Sequence, residues 1–174
     1  MSSSQLRYQP PFRIGYGFDL HATQPGNAIT LGGTEIPAEF SLKGHSDADA
    51  LLHAITDALL GALALRDIGY HFPDDAADWE DADSARFLQY AQQLVHSNGY
   101  HIGNLDATIV AEAPKLNPHI PAMQARIAVL LEIAPEQVSL KATTHEKLGP
   151  LGAKEGIAVH CAALVVKDPP AEAD

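Results

Sequence analysis

Between Gly44 and Asp67 the chain reads GHSDADALLHAITDALLGALALRD, with Leu51, Leu52, Ile55, Leu59 and Leu60 at the three- and four-residue spacing of one helical face. The pattern predicts a long buried helix over 46–65. Ser46 would be its N-cap, with Asp47 and Asp49 in the first turn, where the helix dipole favours negative charge. Asp49, His53 and Asp57 interrupt the apolar residues at i, i+4 and i+8 and so share a side. Upstream, Ile14, Tyr16, Phe18 and Leu20 alternate within RIGYGFDLH, predicting a strand over 13–21, and residues 28–36 predict a second, glycine-interrupted strand. Downstream, Asp83 or Ser84 caps a helix through Phe87, Leu88, Ala91 and Leu94 to Val95, stopped by Asn98-Gly99. A strand over 102–111 follows. Pro118 and Pro121 then open a third helix with Met123, Ile127, Leu130 and Leu131 on its face. Strands over 138–143 and 156–167 complete the order.

This succession predicts an α/β fold of the α+β sandwich kind, with one mixed sheet and helices on one face. The opposite sheet face then lacks elements to cover it, so self-association is expected there. The Ser-rich residues 1–11 read as a flexible lead-in, 12–168 as one domain, and 169–174 as a disordered tail. Residues 70–84, YHFPDDAADWEDADS, show no period, and a loop of this length reads as a lid or binding loop.

Composition narrows the function classes. At 174 residues the chain suits one domain; hydrophobic residues make up 46% and charged residues 19%, a soluble globular balance. The formal net charge of −11 has the wrong sign for a protein that reads nucleic-acid backbones. No apolar run reaches the length of a membrane span, and the N-terminus lacks the apolar core of a signal peptide. A cytoplasmic protein is the expectation. The single Cys161 allows no internal disulfide and reads as a small core residue.

Four groups carry candidate chemistry. Asp19 and His21 sit two apart on the first strand and point to one side; with His53 they offer two imidazoles and a carboxylate, a common catalytic zinc set. Iron or manganese suit the same ligand types, and a strand-end Asp-x-His pair with a core histidine is the equally weighted structural reading. Asp49 or Asp57 stands one turn from His53 and is expected to steer its imidazole. The segment Thr143-Thr144-His145-Glu146-Lys147 ends a strand, where hydroxyls and backbone N–H groups can hold phosphate and a carboxylate can carry Mg²⁺; alone, it reads more readily as a capped turn. Ala111-Glu112-Ala113-Pro114-Lys115 and Asp67-Ile68-Gly69 are weaker signals of the same kind. His71, His96, His101 and His160 read as structural or surface residues.

Taken together, RIGYGFDLH, LGGTEIP, GHSDADALLHAITDALLGALALRDIGYHFPD, GYHIGNLDATIVAEAPKLNPHIPAM and KATTHEKLGPLGAKEGIA closely resemble the 2-C-methyl-D-erythritol 2,4-cyclodiphosphate synthase family of the non-mevalonate isoprenoid route. The resemblance implies a homotrimer with active sites between subunits. It implies zinc on Asp19, His21 and His53, with Mg²⁺ or Mn²⁺ on Glu146 at the substrate diphosphate. It implies catalytic positions at His45 and Thr144, and a cytidine diphosphate substrate held by Ser46, Asp67, Gly69, Phe72, Asp74, Ala111, Pro114, Lys115, Leu116, Thr143, Thr144 and Glu146. Residues 72–82 match the loop over the substrate, and the His45-Ser46 helix start would aim its N–H groups at phosphates. The implied reaction joins the 2-phosphate to the substrate's own β-phosphoryl group and expels CMP. Three departures stand out: His145 in place of a third threonine, Ala153-Lys154 where an arginine is expected near a trimer channel that could hold a terpenoid diphosphate, and an acidic lid with Asp75 and Asp78. A metal-dependent phosphohydrolase and a metal-stabilised binding protein without turnover are the alternatives.

Overall fold

The computed structural model describes residues 10–44, 46–73 and 82–169. His45, Asp74 and most of the expected lid, including Asp75 and Asp78, lie outside these residues, as do most of the lead-in and tail. The elements run β1 (Phe12–Gln24), β2 (Ala28–Leu31), β3 (Thr34–Pro37), β4 (Ser41–Leu42), α1 (Ala50–Ala62), α2 (Ile68–His71) and α3 (Ala85–Ser97). They continue through β5 (Tyr100–Val110), α4 (Ile120–Leu131), β6 (Val138–Thr143), α5 (Gly149–Gly152) and β7 (Gly156–Lys167). One five-stranded sheet has the order β4-β1-β7-β5-β6. Only β5 and β6 pair in parallel, so the sheet is mixed, as the element order predicts.

The sheet's two faces differ in what they meet. On β1, Gly15 and Gly17 are buried, while Phe12, Ile14, Tyr16, Phe18 and Leu20 stand exposed on the other side; Ile14 is 67% and Tyr16 62% accessible. The glycines lie under α1. A Cβ built on Gly15 would fall 1.8 Å from the carbonyl oxygen of Ala58, and one on Gly17 2.0 Å from that of Ala54. Absence of side chains there lets the helix backbone rest directly on the strand. Leu51, Leu52, Ile55, Leu59 and Leu60 are then wholly buried, each contributing about 1.5–3 kcal/mol relative to exposure. Ile157, Val159, Cys161, Ala163 and Val165 of β7 fill the adjoining core, and burial pushes the Cys161 thiol up to about 12, which suits a packing residue.

The structure corrects several sequence expectations. Residues 28–36 are not one interrupted strand but the β2–β3 hairpin, turned by Gly32 (φ 60°) and Gly33 (φ 65°). Two successive positive φ values make the type I′ turn that glycine accommodates and whose twist matches a hairpin. The helix begins later than 46, because Ala48 adopts a left-handed φ of 56° and its N-cap is Asp49, not Ser46. Asp49 is fully buried. Its Oδ1 accepts from Leu51 and Leu52 N–H at 3.1 and 3.0 Å and from Gly32 N–H at 2.9 Å, while Oδ2 accepts from Gly33 N–H at 2.6 Å. Burial pushes this carboxyl up, and the N–H groups of Gly33, Leu52 and Gly32 pull against that shift. One side chain therefore both caps α1 and fastens the hairpin turn to it. The short helices α2 and α5 have no counterpart among the elements the sequence pattern predicts.

Gly17→Ala is expected to lower the free energy of unfolding by about 3 kcal/mol or more, because the methyl meets helix backbone that has no rotamer to escape into. Urea unfolding followed by circular dichroism checks this; a midpoint unchanged from the parent protein contradicts the close packing.

Candidate metal centre and the turns at the ends of β5 and β6

Beyond the glycines, β1 presents Asp19 and His21 on the side that faces α1, and α1 presents His53 to them. Alternation along the strand and the helix-to-strand approach thus bring together three residues separated by up to 34 positions. Asp19 Oδ2 lies 2.8 Å from His21 Nε2 and 3.0 Å from His53 Nδ1, and the two ring nitrogens are 3.2 Å apart. All three residues are half-buried, and they are the one group of metal-type donors that converges in this way among the described residues.

The donor chemistry fits a metal ion. His21 Nδ1 lies 2.8 Å from the carbonyl oxygen of Lys43, which can only accept, so Nδ1 carries a proton and Nε2 is the nitrogen that can either donate to Asp19 or, once deprotonated, offer its lone pair to a metal ion. Burial works to raise the Asp19 carboxyl, yet hydrogen bonds and charge from the two imidazoles prevail and hold it far below the ordinary carboxylate range. Burial would likewise lower His21, but the hydrogen bond and charge of Asp19 win and raise it. The cluster therefore attracts positive charge, and two imidazoles with one carboxylate leave a coordination position for water or substrate.

Asp49 and Asp57 do not steer His53. Asp49 is committed to the cap and hairpin, and Asp57 accepts the Ile68 N–H at 2.7 Å, tying α2 to α1. Helical spacing put both on the right side but could not show that each was already engaged. The groups that meet the outer nitrogen, His53 Nε2, are Ser84 Oγ at 2.7 Å and Ser46 Oγ at 3.3 Å. Ser84 also bonds to Asp47. Sequence reasoning treated Ser84 only as a cap and Asp47 only as a dipole partner; no spacing rule links residues 31 positions apart. Ser46, freed of the capping role, sits beside His53, and the N–H groups that a helix start at 45–46 would have left free are not available at the observed start, where Ala50 N–H donates to Ala48 O and Leu51 and Leu52 N–H donate to Asp49.

A second grouping forms where β5 and β6 end. Val110 pairs with Thr143, and Ala111 N–H donates to Thr143 O at 2.9 Å, joining the two segments marked in the sequence. Glu112 accepts from His145 and Lys147 N–H at 3.0 and 3.1 Å. That grip holds a turn in which Glu146 and Lys147 have φ values of 51° and 61°. Thr144 Oγ1 donates to Glu146 Oε1 at 3.0 Å. Glu112, which earned no role from sequence, is thus the carboxylate that shapes the Glu146 turn. Pro114 lines an open cavity of about 320 Å³ with Pro37, Ala38, Glu39, Phe40, Ala113 and Lys154. Lys115 is exposed, whereas Leu116 sends its side chain into the core. Asp67 caps α2 by accepting Tyr70 N–H at 2.9 Å, with Gly69 beside it. Phe72 packs on Phe87, ring centroids 4.5 Å apart, and Phe87 in turn lies 6.0 Å from the His53 ring.

These features define the class: a mixed-sheet α/β protein with a two-histidine, one-carboxylate centre between its first strand and its central helix. The family follows from comparison. The YgbB family model matches residues 12–166, and the chain belongs to that family. It is 56% identical over 155 residues to the 2-C-methyl-D-erythritol 2,4-cyclodiphosphate synthase of Ectopseudomonas mendocina, covering 89% of this chain and 99% of that one. It is 52% identical over 157 residues to the synthase of the same name from Synechococcus elongatus, covering 90% and 98%. Among solved structures, the IspF–CDP complex of Plasmodium falciparum superposes with a TM-score of 0.82 at 35% identity, covering 93% of this chain and all of that one.

Removing the helix's contribution to the trio tests the metal reading. After incubation with zinc, His53→Ala is expected to hold far less of the metal than the parent protein, by elemental analysis, while keeping the parent far-UV circular dichroism. Retained zinc at the parent level contradicts the assignment.

Proposed function

We propose that the protein is a 2-C-methyl-D-erythritol 2,4-cyclodiphosphate synthase, a cyclising, CMP-releasing phosphorus–oxygen lyase. The observation that carries this reading is the convergence of Asp19, His21 and His53 in a chain of this family whose relatives bear that name over nearly their whole length. In the reaction an oxygen of the substrate's 2-phosphate attacks its β-phosphorus, the bond from that phosphorus to the bridging oxygen of CMP breaks, and CMP departs with the bond's electron pair. The nucleophile is already anionic, so no strong general base is required; positioning and charge neutralisation decide the rate.

Asp19, His21 and His53 would hold zinc, and Glu146 would hold Mg²⁺ or Mn²⁺. Bound there, the two ions supply Lewis-acid neutralisation of phosphoryl charge, which accounts for a −11 chain accepting a polyanion. The protein's own groups do the rest. Thr143 and Thr144 offer hydroxyls at the end of β6, and Ala111, Pro114, Lys115 and Leu116 form the adjoining turn for the cytidine phosphate. Asp67 and Gly69 face ribose or erythritol hydroxyls from α2. Ser46 and Phe72 stand on the side of the site next to the centre; by resemblance to the family His45 and Asp74 would be further substrate contacts, with His45 and Thr144 acting at the reacting phosphates.

The exposed row Phe12, Ile14, Tyr16, Phe18 and Leu20 supports a homotrimer, because a sheet face this apolar gains by burial against other copies. No hydrogen bond links the Glu146 turn to the centre within one chain among the described residues, which also favours a site completed between subunits, with Asp67 and Gly69 from one and the Thr143–Glu146 turn from its neighbour. Lys154, with φ 65°, takes the channel-side position next to Ala153 and would offer a point charge rather than an arginine fork to a terpenoid diphosphate. A cytoplasmic location fits a chain in which no described helix is long and apolar enough to cross a membrane.

Incubation with 4-diphosphocytidyl-2-C-methyl-D-erythritol 2-phosphate, zinc and Mg²⁺ should yield CMP and the cyclic diphosphate in equal amounts, resolved by phosphorus NMR. Linear phosphate release indicates a hydrolase, and unchanged substrate a binding protein; either outcome sinks the synthase reading.

A further inference from the structure

The hydroxyl of Ser84 is used in an unusual way. Serine at a helix start normally turns its oxygen toward a free N–H of the first turn. Ser84 occupies the N-cap position of α3 but has helical backbone angles, φ −60° and ψ −17°, and makes no side-chain cap bond. Its side chain is wholly buried instead between His53 and Asp47. Ser84 Oγ lies 2.7 Å from His53 Nε2 and in hydrogen-bond contact with Asp47 Oδ1, while Asp47 Oδ2 receives the Ser84 N–H at 3.3 Å.

Proton counting gives this chain a direction. The Asp47 carboxylate only accepts, so the single hydroxyl proton of Ser84 goes to it. Toward His53 the Ser84 oxygen, at 2.7 Å a closer partner of Nε2 than Ser46 Oγ at 3.3 Å, is then an acceptor, so Nε2 carries the imidazole proton. His53 Nδ1 is left with its lone pair, aimed at Asp19 Oδ2 and His21 Nε2, 3.0 and 3.2 Å away. On the other imidazole the Lys43 carbonyl enforces the complementary tautomer. We propose that Asp47 and Ser84 are positioning residues that fix the tautomer and ring orientation of His53 so that Nδ1 is ready for a metal ion. This rests on the reading of Asp19, His21 and His53 as metal ligands and adds residues none of whose side chains reaches the metal position.

The relay also explains why Asp47 matters more than its distance from the ligands indicates. Without its carboxylate, the Ser84 hydroxyl is released to donate to Nε2, which drives the imidazole proton to Nδ1 and blocks the metal. Loss of Asp47 should therefore hurt only when Ser84 is present.

Zinc affinity by competition with a chromophoric chelator tests this on the parent protein, Ser84→Ala, Asp47→Ala and the double variant, with folding checked by circular dichroism. Each single change should weaken zinc binding about 10- to 100-fold, and the double variant should bind no worse than the weaker single variant. The visible spectrum of the cobalt-substituted protein should shift in Ser84→Ala, since the ring that ligates the ion has lost its fixed orientation. If the parent binds zinc and Ser84→Ala binds within about twofold of it, or if the two losses multiply, the relay is overturned. A parent protein that binds no zinc overturns the ligand reading itself, which this design separates from failure of the relay alone.

Discussion

The rest of the structure depends on the contact between α1 and β1 at Gly15 and Gly17. Two missing side chains let helix backbone lie against strand backbone, with carbonyl oxygens of Ala54 and Ala58 where methyl groups would otherwise stand. That approach buries the leucine and isoleucine face of α1, which is the largest part of the core. It also sets the distance at which His53 meets Asp19 and His21. A helix held off by even one methyl layer would still pack, but its imidazole would no longer share a contact sphere with the strand's ligands. Core and centre are consequences of one steric fact.

Asp49 extends this economy. It is buried and satisfied by four backbone donors from two elements, so it specifies where α1 begins and where the β2–β3 turn must lie. The residues just before it then leave the helical path, with Ala48 left-handed, and that departure places Ser46 and Asp47 beside His53 and Ser84. Glu112 performs the same kind of task at the other grouping, taking two N–H groups of the Glu146 turn. In both places a carboxylate outside the candidate ligand set shapes the backbone that carries candidate site residues.

Much of this was legible in the sequence, for identifiable reasons. The period of the apolar residues announced α1, and the alternation in 13–21 announced β1 together with the shared side of Asp19 and His21. Residue type left the metal trio level with a structural reading, and the family resemblance was what implied it. What stayed hidden was pairing over distance. Asp49 and Asp57 had the right helical spacing from His53 but were claimed by Gly32, Gly33 and Ile68, contacts that no periodicity encodes. Ser84 looked like a cap because serine usually is one, and only its backbone angles show otherwise. The hairpin at 28–37 was read as one strand because Gly32-Gly33 serves equally as an interruption and as a turn.

The central claim is that β1 and α1 are held together in the arrangement that grips a metal ion. X-ray diffraction from crystals grown with zinc, recorded on both sides of the zinc absorption edge, measures it most directly. The account predicts one anomalous peak per chain bonded to Asp19 Oδ2, His21 Nε2 and His53 Nδ1; the absence of a peak there, or zinc bound through His53 Nε2, would contradict it.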